Sequence, residues 1–208
     1  MKAPLYNENG ELVGEMELKD ELFGVEPKHH LLWEVSRMYM ANKRQGTHFA
    51  KTRAEVVASG RKLFPQKGLG RSRHGDIKAP IFVGGGKAHG PRPREYYYEI
   101  PTRMKKLALL YSLADKAQHG RIYIIERFDF TEPKTRRMAE LLEKIGLDEK
   151  KTLILSSVYN RNLYLSGRNI PFCDVMEVRD VNPVVVMNSS FVLIEKEGIG
   201  KLEKRLVI

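Results

Sequence analysis

The sequence predicts an α/β fold: a single three-layer domain with a largely parallel sheet flanked by helices, and a long extended basic loop inserted between two of the helices. Three observations predict it. Short runs rich in Ile, Leu and Val alternate with segments whose apolar residues recur at helical spacing, the pattern of right-handed βαβ units. Residues 43–97 interrupt that alternation with no sustained apolar period, and a helical pattern resumes soon after Tyr98. The formal net charge of +10 lies wholly in the interruption, which holds thirteen Lys or Arg against three acids, Glu55, Asp76 and Glu95, while the other 153 residues carry 23 charges of each sign.

The first expected element is a helix from Lys28 to about Asn42, where Leu31, Val35 and Met38 share a stripe that Leu32 and Tyr39 widen. Trp33, beside Leu31 and Leu32, is expected in the core. After the basic stretch, Thr102 is a candidate N-cap for a helix to His119 with Met104, Leu107, Tyr111 and Ala114 on one face and Gly120 as its stop. Arg121–Glu126 is short and Ile-rich, a buried strand. Thr135 or Thr131 caps the next helix, where Met138, Leu141, Leu142 and Ile145 precede Gly146. A strand follows at Thr152–Ser156, a short helical turn at Asn160–Gly167, and strands at Phe172–Val178 and Phe191–Ile194. Glu197–Arg205 closes the chain as a helix. Val184–Met187 stays open between strand and helix, because its β-branched residues favour the former while Asn182 and Pro183 offer an N-cap and a first-turn proline. The division expected is residues 1–42 together with 98–208 as the globular α/β domain, with 43–97 as the loop, whose ends should lie close together.

Composition excludes several classes. The single cysteine, Cys173, excludes an intramolecular disulfide and a cysteine-based zinc site, and suits a small core position. No apolar run approaches the roughly 18 residues of a membrane span, so no membrane partner is expected and the chain is expected to be cytoplasmic. No His pair has i, i+4 spacing for a metal. Gly86-Lys87 is followed by Ala88, Gly200-Lys201 by Leu202, and Gly68-Leu-Gly70 meets Arg73 where a third glycine is needed, so neither a phosphate loop nor a dinucleotide fingerprint is present. Glu126, Asp129 and Asp115 suit solvated or capping positions better than acid–base work. No catalysis, cofactor or metal is expected.

The loop is long for a structureless connection. Its large apolar residues, among them Phe49, Leu63, Phe64, Ile81 and Phe82, are too scattered for a second core. Nine of the chain's seventeen glycines fall in it, and glycine lets backbone approach a bulky partner closely. A charge field confined to one segment implies a polyanionic partner. The bases are Lys43, Arg44, Lys51, Arg53, Arg61, Lys62, Lys67, Arg71, Arg73, Lys78, Lys87, Arg92 and Arg94. Arginine grips phosphate with its fork while its face stacks on a base, which suits RNA. Phe49, Phe64, Phe82 and Tyr96–Tyr98 add stacking surfaces, and His48, His74 and His89 can donate to phosphate or 2′-hydroxyl. Folded back on itself, such a loop reaches at most about 90 Å at roughly 3.3 Å per residue. Without RNA, composition alone leaves it mobile.

The run Gln66-Lys-Gly-Leu-Gly-Arg-Ser-Arg-His-Gly75, then Ala79-Pro80-Ile81 and Gly84-Gly-Gly-Lys-Ala-His-Gly-Pro-Arg-Pro-Arg94, resembles the central signature of the bacterial large-subunit ribosomal protein L four family. Lys51-Thr-Arg-Ala-Glu-Val56, Ser59-Gly60, Met104-Lys-Lys-Leu-Ala-Leu109 and Pro133-Lys-Thr135 extend the resemblance along essentially the whole chain. Phe64-Pro65 stands where the family usually has Trp and a basic residue, and Leu69 replaces a common Thr. The resemblance implies a structural constituent of the large ribosomal subunit in the cytoplasm, whose loop threads into ribosomal RNA and whose neighbours are other large-subunit proteins. It implies RNA contacts from the bases above with His74 and His89. It further implies a tip, Gln66, Lys67, Gly68, Leu69, Gly70 and Arg71, in the wall of the nascent-peptide exit tunnel near where macrolide antibiotics bind. Family members also aid early subunit assembly, and some bind their own messenger RNA. The rival reading is an RNA-processing or RNA-modifying enzyme that uses the loop to capture substrate.

Overall fold

The computed structural model describes residues 1–206 and divides into two compact units, residues 1–40 with Glu99 onward, and Ala41–Tyr98. The first unit opens with a hairpin of β1 (Lys2–Tyr6) and β2 (Leu12–Glu17) and a single helical turn, α1 (Asp20–Phe23), none of which the sequence pattern announces. The reason is burial: of the two strands only Ala3 is fully covered, and the neighbours Leu12 and Val13 are both exposed, so no alternation marks a buried face. A local signal does exist, since the Asn7 side chain accepts from the backbone N–H of Asn9 at 3.0 Å and of Glu11 at 2.9 Å, the self-bonding by which Asn makes turns.

Helix α2 (His29–Asn42) buries Leu32, Val35 and Met38 as the stripe predicts. Trp33 is the correction: it is 57% exposed, stacked with His30, with the Arg37 guanidinium 5.3 Å from its ring centre. It lies off the stripe, and its flat ring is flanked by polar neighbours of its own helix while staying open to solvent. Helix α3 (Thr102–Gln118) is buried all round from Ala108 to Ala114, because α1 and the helices at Pro183–Asn188 and Lys196–Leu206 pack on it as well as the sheet. Its N-cap is Pro101, and Thr102 is its first helical residue with no capping bond from its side chain.

Then follow β3 (Ile122–Ile125), α4 (Thr135–Ile145), β4 (Thr152–Ser156), α5 (Arg161–Gly167), β5 (Cys173–Glu177), α6 (Pro183–Asn188), β6 (Phe191–Glu195) and α7 (Lys196–Leu206). Neither Thr131 nor Thr135 caps α4; Lys134 holds that position without a side-chain capping bond, its ammonium pairing instead with Glu132 at 2.7 Å. Segment 184–187 is helix, because the Asn182 side chain accepts from Val185 N–H at 3.0 Å and Pro183 takes the first turn.

The six strands form one sheet in the order β2-β1-β3-β6-β4-β5, antiparallel at β1–β2 and parallel elsewhere. Period-two alternation divides the strand residues between two cores. Ile122, Ile124, Leu153, Leu155, Val192 and Ile194 face α2, α3, α6 and α7, with Leu32, Val35, Leu113, Val186 and Leu202 in the same cluster. Ile125, Ile154 and Leu193 face α4 and α5, with Met138, Leu142, Leu163 and Cys173. The result is three layers, with both faces of the parallel strands covered, which is why β3, β4 and β6 read in the sequence as continuous apolar runs. Burying each such Ile or Leu contributes about 1.5–3 kcal/mol. No residue of 41–98 belongs to either cluster.

Candidate nucleic-acid interface

The 41–98 unit contains no helix or strand beyond the last turn of α2, and Gly86 is its one fully buried residue. Bonds between distant residues shape it instead. Asn42 and Tyr98 join its two ends: the Asn42 side chain donates to Tyr98 O and accepts from Tyr98 N–H, each at 3.1 Å. Two residues inward on each side, Tyr96 meets Arg44, and two further, Arg94 N–H donates to Gly46 O at 3.3 Å. Ala50 N–H donates to Pro91 O and Lys87 N–H to Lys51 O. Leu63 N–H donates to Gly75 O at 3.0 Å, closing the loop that carries residues 66–71.

Two glycines are required by this pairing. Gly46 has φ +68°, and a Cβ there would strike the Arg94 carbonyl oxygen. Gly86 lies where three passes of chain meet, its N–H donating to Lys78 O at 3.0 Å, and a Cβ there would strike the backbone of Thr52 and Arg53. Glycine therefore serves the unit's own packing as well as any partner's approach.

Of the thirteen bases, Lys78 is half-buried and the other twelve are exposed. None pairs with a carboxylate among the described residues. Glu55 is occupied otherwise: its carboxylate accepts from Thr52 N–H at 2.7 Å and the Thr52 hydroxyl at 2.9 Å, and these two bonds, aided by the charges of Arg92 and Lys51, hold its pKa below the usual carboxylate range. The Lys62 ammonium instead donates to the Gln66 side chain. The unit thus presents a field of cations with little internal neutralisation.

The aromatic groups divide. Phe49, Tyr97 and Tyr98 are exposed, whereas the His74 ring sits edge-on to both Phe64 and Phe82, with centroids 6.1 and 5.0 Å away. His89 is exposed, and His48 Nε2 lies 2.9 Å from the Tyr96 hydroxyl in a hydrogen bond. Gln66, Lys67, Gly68, Leu69, Gly70 and Arg71 are all exposed. The feature that residue-by-residue reading misses is Tyr96, whose ring lies under two guanidinium groups, Arg44 at 3.7 Å and Arg94 at 4.5 Å from its centre. Arg94 lies two residues from Tyr96 along the chain, but Arg44 reaches the ring only through the pairing of the two ends, which no sequence spacing encodes. These contacts pair the two ends of the unit residue by residue.

In the first unit, a polar cavity of about 510 Å³ lies at the carboxyl ends of the parallel strands, lined by Arg127, Ser156, Ser157, Asn160, Glu195 and Glu197 among others. Ligands often occupy this place in α/β sheets. Here the buried Glu195, also missed from sequence, accepts from Ser157 N–H at 2.6 Å and so ties two strand ends together. Glu126 and Asp129 are exposed, and Asp115 is half-buried beside His119. Among the described residues, no three or more His, Cys, Asp or Glu lie together as a metal site, and no helix is long and apolar enough to cross a membrane.

Comparison with known proteins adds an independent line. Across 195 residues the chain is 42% identical to the large ribosomal subunit protein uL4 of Aquifex pyrophilus, covering 93% of this chain and 98% of the relative. It is 40% identical to that of Carboxydothermus hydrogenoformans, covering 98% of each chain. To that of Brevibacillus brevis it is 38% identical, covering 99% of each. The profile described as the Ribosomal protein L4/L1 family matches residues 16–205. With near-complete coverage at such identity, the chain belongs to the ribosomal protein L4/L1 family.

Proposed function

We propose that this protein is a structural constituent of the large ribosomal subunit that binds large-subunit rRNA through residues 43–97, with the other residues forming the globular domain that carries them. The observation that supports it best is the field of twelve exposed bases in one unit with no carboxylate on any of them, beside a remainder of zero formal charge. The chain works by binding and catalyses nothing. Lys and Arg neutralise phosphates along the RNA, and the Gly-rich turns let backbone approach it closely. Residues 66–71 form the tip in the peptide exit tunnel wall, and the protein aids subunit assembly by fixing RNA segments to one another. Other large-subunit proteins are its neighbours.

Deleting 43–97 tests this reading. Binding to deproteinised large-subunit rRNA is expected to fall by at least a hundredfold, and the log–log salt slope to flatten by roughly 0.7 to 0.9 for each phosphate that is no longer neutralised. A deletion variant that binds with unchanged affinity and slope overturns the assignment. Crosslinking from Lys67 and Arg71 in assembled subunits checks the tip.

A further inference from the structure

We propose that Arg44 and Arg94, both braced on the ring of Tyr96, form a preassembled clamp for one RNA phosphate at the paired ends of the 41–98 unit. The inference rests on the RNA-binding reading above and assigns one contact within it. Four observations carry it. The two guanidinium carbons lie 3.7 and 4.5 Å from the same ring centre, so they stand no more than about 8 Å apart. One phosphate spans that gap with N–H···O bonds of about 2.8 Å to each fork. The groups are like-charged, so their closeness is unfavourable until an anion enters; the cation–π contact with Tyr96 is what holds them there.

Second, the anion is not supplied from within. Neither arginine meets a carboxylate among the described residues, the neighbouring Glu95 included, and Glu55 is held by Thr52. Third, the brace is itself fixed. The Tyr96 hydroxyl bonds His48 Nε2 at 2.9 Å, and the level on either side is hydrogen-bonded, Asn42 to Tyr98 and Gly46 to Arg94. Fourth, both arginines are exposed while Tyr96 between them is half-buried. A stacked guanidinium keeps its N–H fork free in its own plane, so stacking orients the donors without consuming them. Phosphate suits this arrangement because it accepts from two forks at once, and Lys43, Lys51 and Arg92 nearby in sequence extend the positive field along an RNA backbone.

The test measures binding of the full-length protein to deproteinised large-subunit rRNA over a salt series, with Arg44→Gln, Arg94→Gln, the double variant, Tyr96→Leu, Tyr96→Phe and the 43–97 deletion. A shared phosphate predicts that the double variant flattens the slope by roughly 0.7 to 0.9, with each single variant already losing most of the affinity. Tyr96→Leu keeps both charges yet weakens binding about three- to tenfold, while Tyr96→Phe, which keeps the ring, binds within about twofold of wild type. Arg44→Lys with Arg94→Lys keeps charge but not the forks; it should retain the slope and lose affinity, so the clamp stays testable if the Gln variants fold poorly. Flattening twice as large in the double Gln variant means separate phosphates and overturns the clamp. So does a Tyr96→Leu protein that binds as wild type, or a double variant that competes normally for RNA but loses an acidic protein partner. If the deletion abolishes binding while all the point variants bind normally, the clamp alone fails; if the deletion binds normally, the RNA reading fails with it.

Discussion

Lys116 shows how one residue can be opposed to its surroundings and still be required. It is only 5% exposed, and its ammonium donates to Ser189 O at 2.6 Å with no carboxylate paired to it among the described residues. Burial pushes its pKa below the ordinary lysine value; Arg121 pushes the same way and Asp115 partly opposes. The unfolded chain therefore holds this proton to higher pH than the folded one. Where the two states differ, the unfolded state binds more protons, so stability rises with pH from the lowered folded value up toward 10.5. Lys116→Met retains an apolar stem, leaves the Ser189 carbonyl without its donor at a cost of about 1–3 kcal/mol, and lacks the alkaline gain. Urea denaturation at pH 7.5 and pH 10 should show the wild type gaining on Lys116→Met as pH rises. A constant difference would mean the lysine is not charged against its environment. The residue scale is also where sequence is least informative. Trp33 reads as core from its neighbours and is not, and Arg44 and Ser157, which meet Tyr96 and Glu195, lie 52 and 38 positions away from them. The thirteen bases, by contrast, are legible at once, because charge density needs no fold to be counted.

Among the elements, legibility follows burial on both faces. Strands β3, β4 and β6 announce themselves because each side of the sheet is covered, while the β1–β2 hairpin has no covered face continuous enough to leave a pattern. Helix α6 sits between these cases. Its Val184-Val-Val run favours a strand by side-chain shape, yet one capping bond and one proline reverse that preference, since Asn182 satisfies an N–H left open by the first turn and Pro183 has none to satisfy. In so short a helix the cap is a large share of what holds it. Asn182→Ala is expected to destabilise the protein by about 1 kcal/mol, within the usual 0.5–2 for removal of a cap, whereas Asn182→Asp or Asn182→Ser should cost little. Thermal denaturation of the three variants checks the order. Equal losses in all three would show that Asn182 acts through something other than its acceptor oxygen.

For the whole molecule, the two units separate two jobs that one polypeptide must do: bury apolar surface and carry uncompensated charge. Both apolar clusters are drawn only from residues 1–40 and 99 onward, so the packing that offsets chain entropy owes nothing to 41–98. Residues 43–97 in turn hold all of the net charge, which would oppose compaction if it were spread through a core. Asn42 and Tyr98, exchanging two backbone-to-side-chain bonds, leave the cut ends close enough for a two-residue Gly-Ser link. A protein with 43–97 replaced by that link should therefore fold cooperatively, with a Tm within a few degrees of wild type. Its formal charge near zero should make it markedly less soluble near neutral pH than the parent at pI 9.6. Calorimetry and solubility across pH 6–9 measure both. A Tm lower by more than about 10 °C, or loss of cooperativity, would mean that 43–97 supplies part of the packing and that charge and core are not divided between the units.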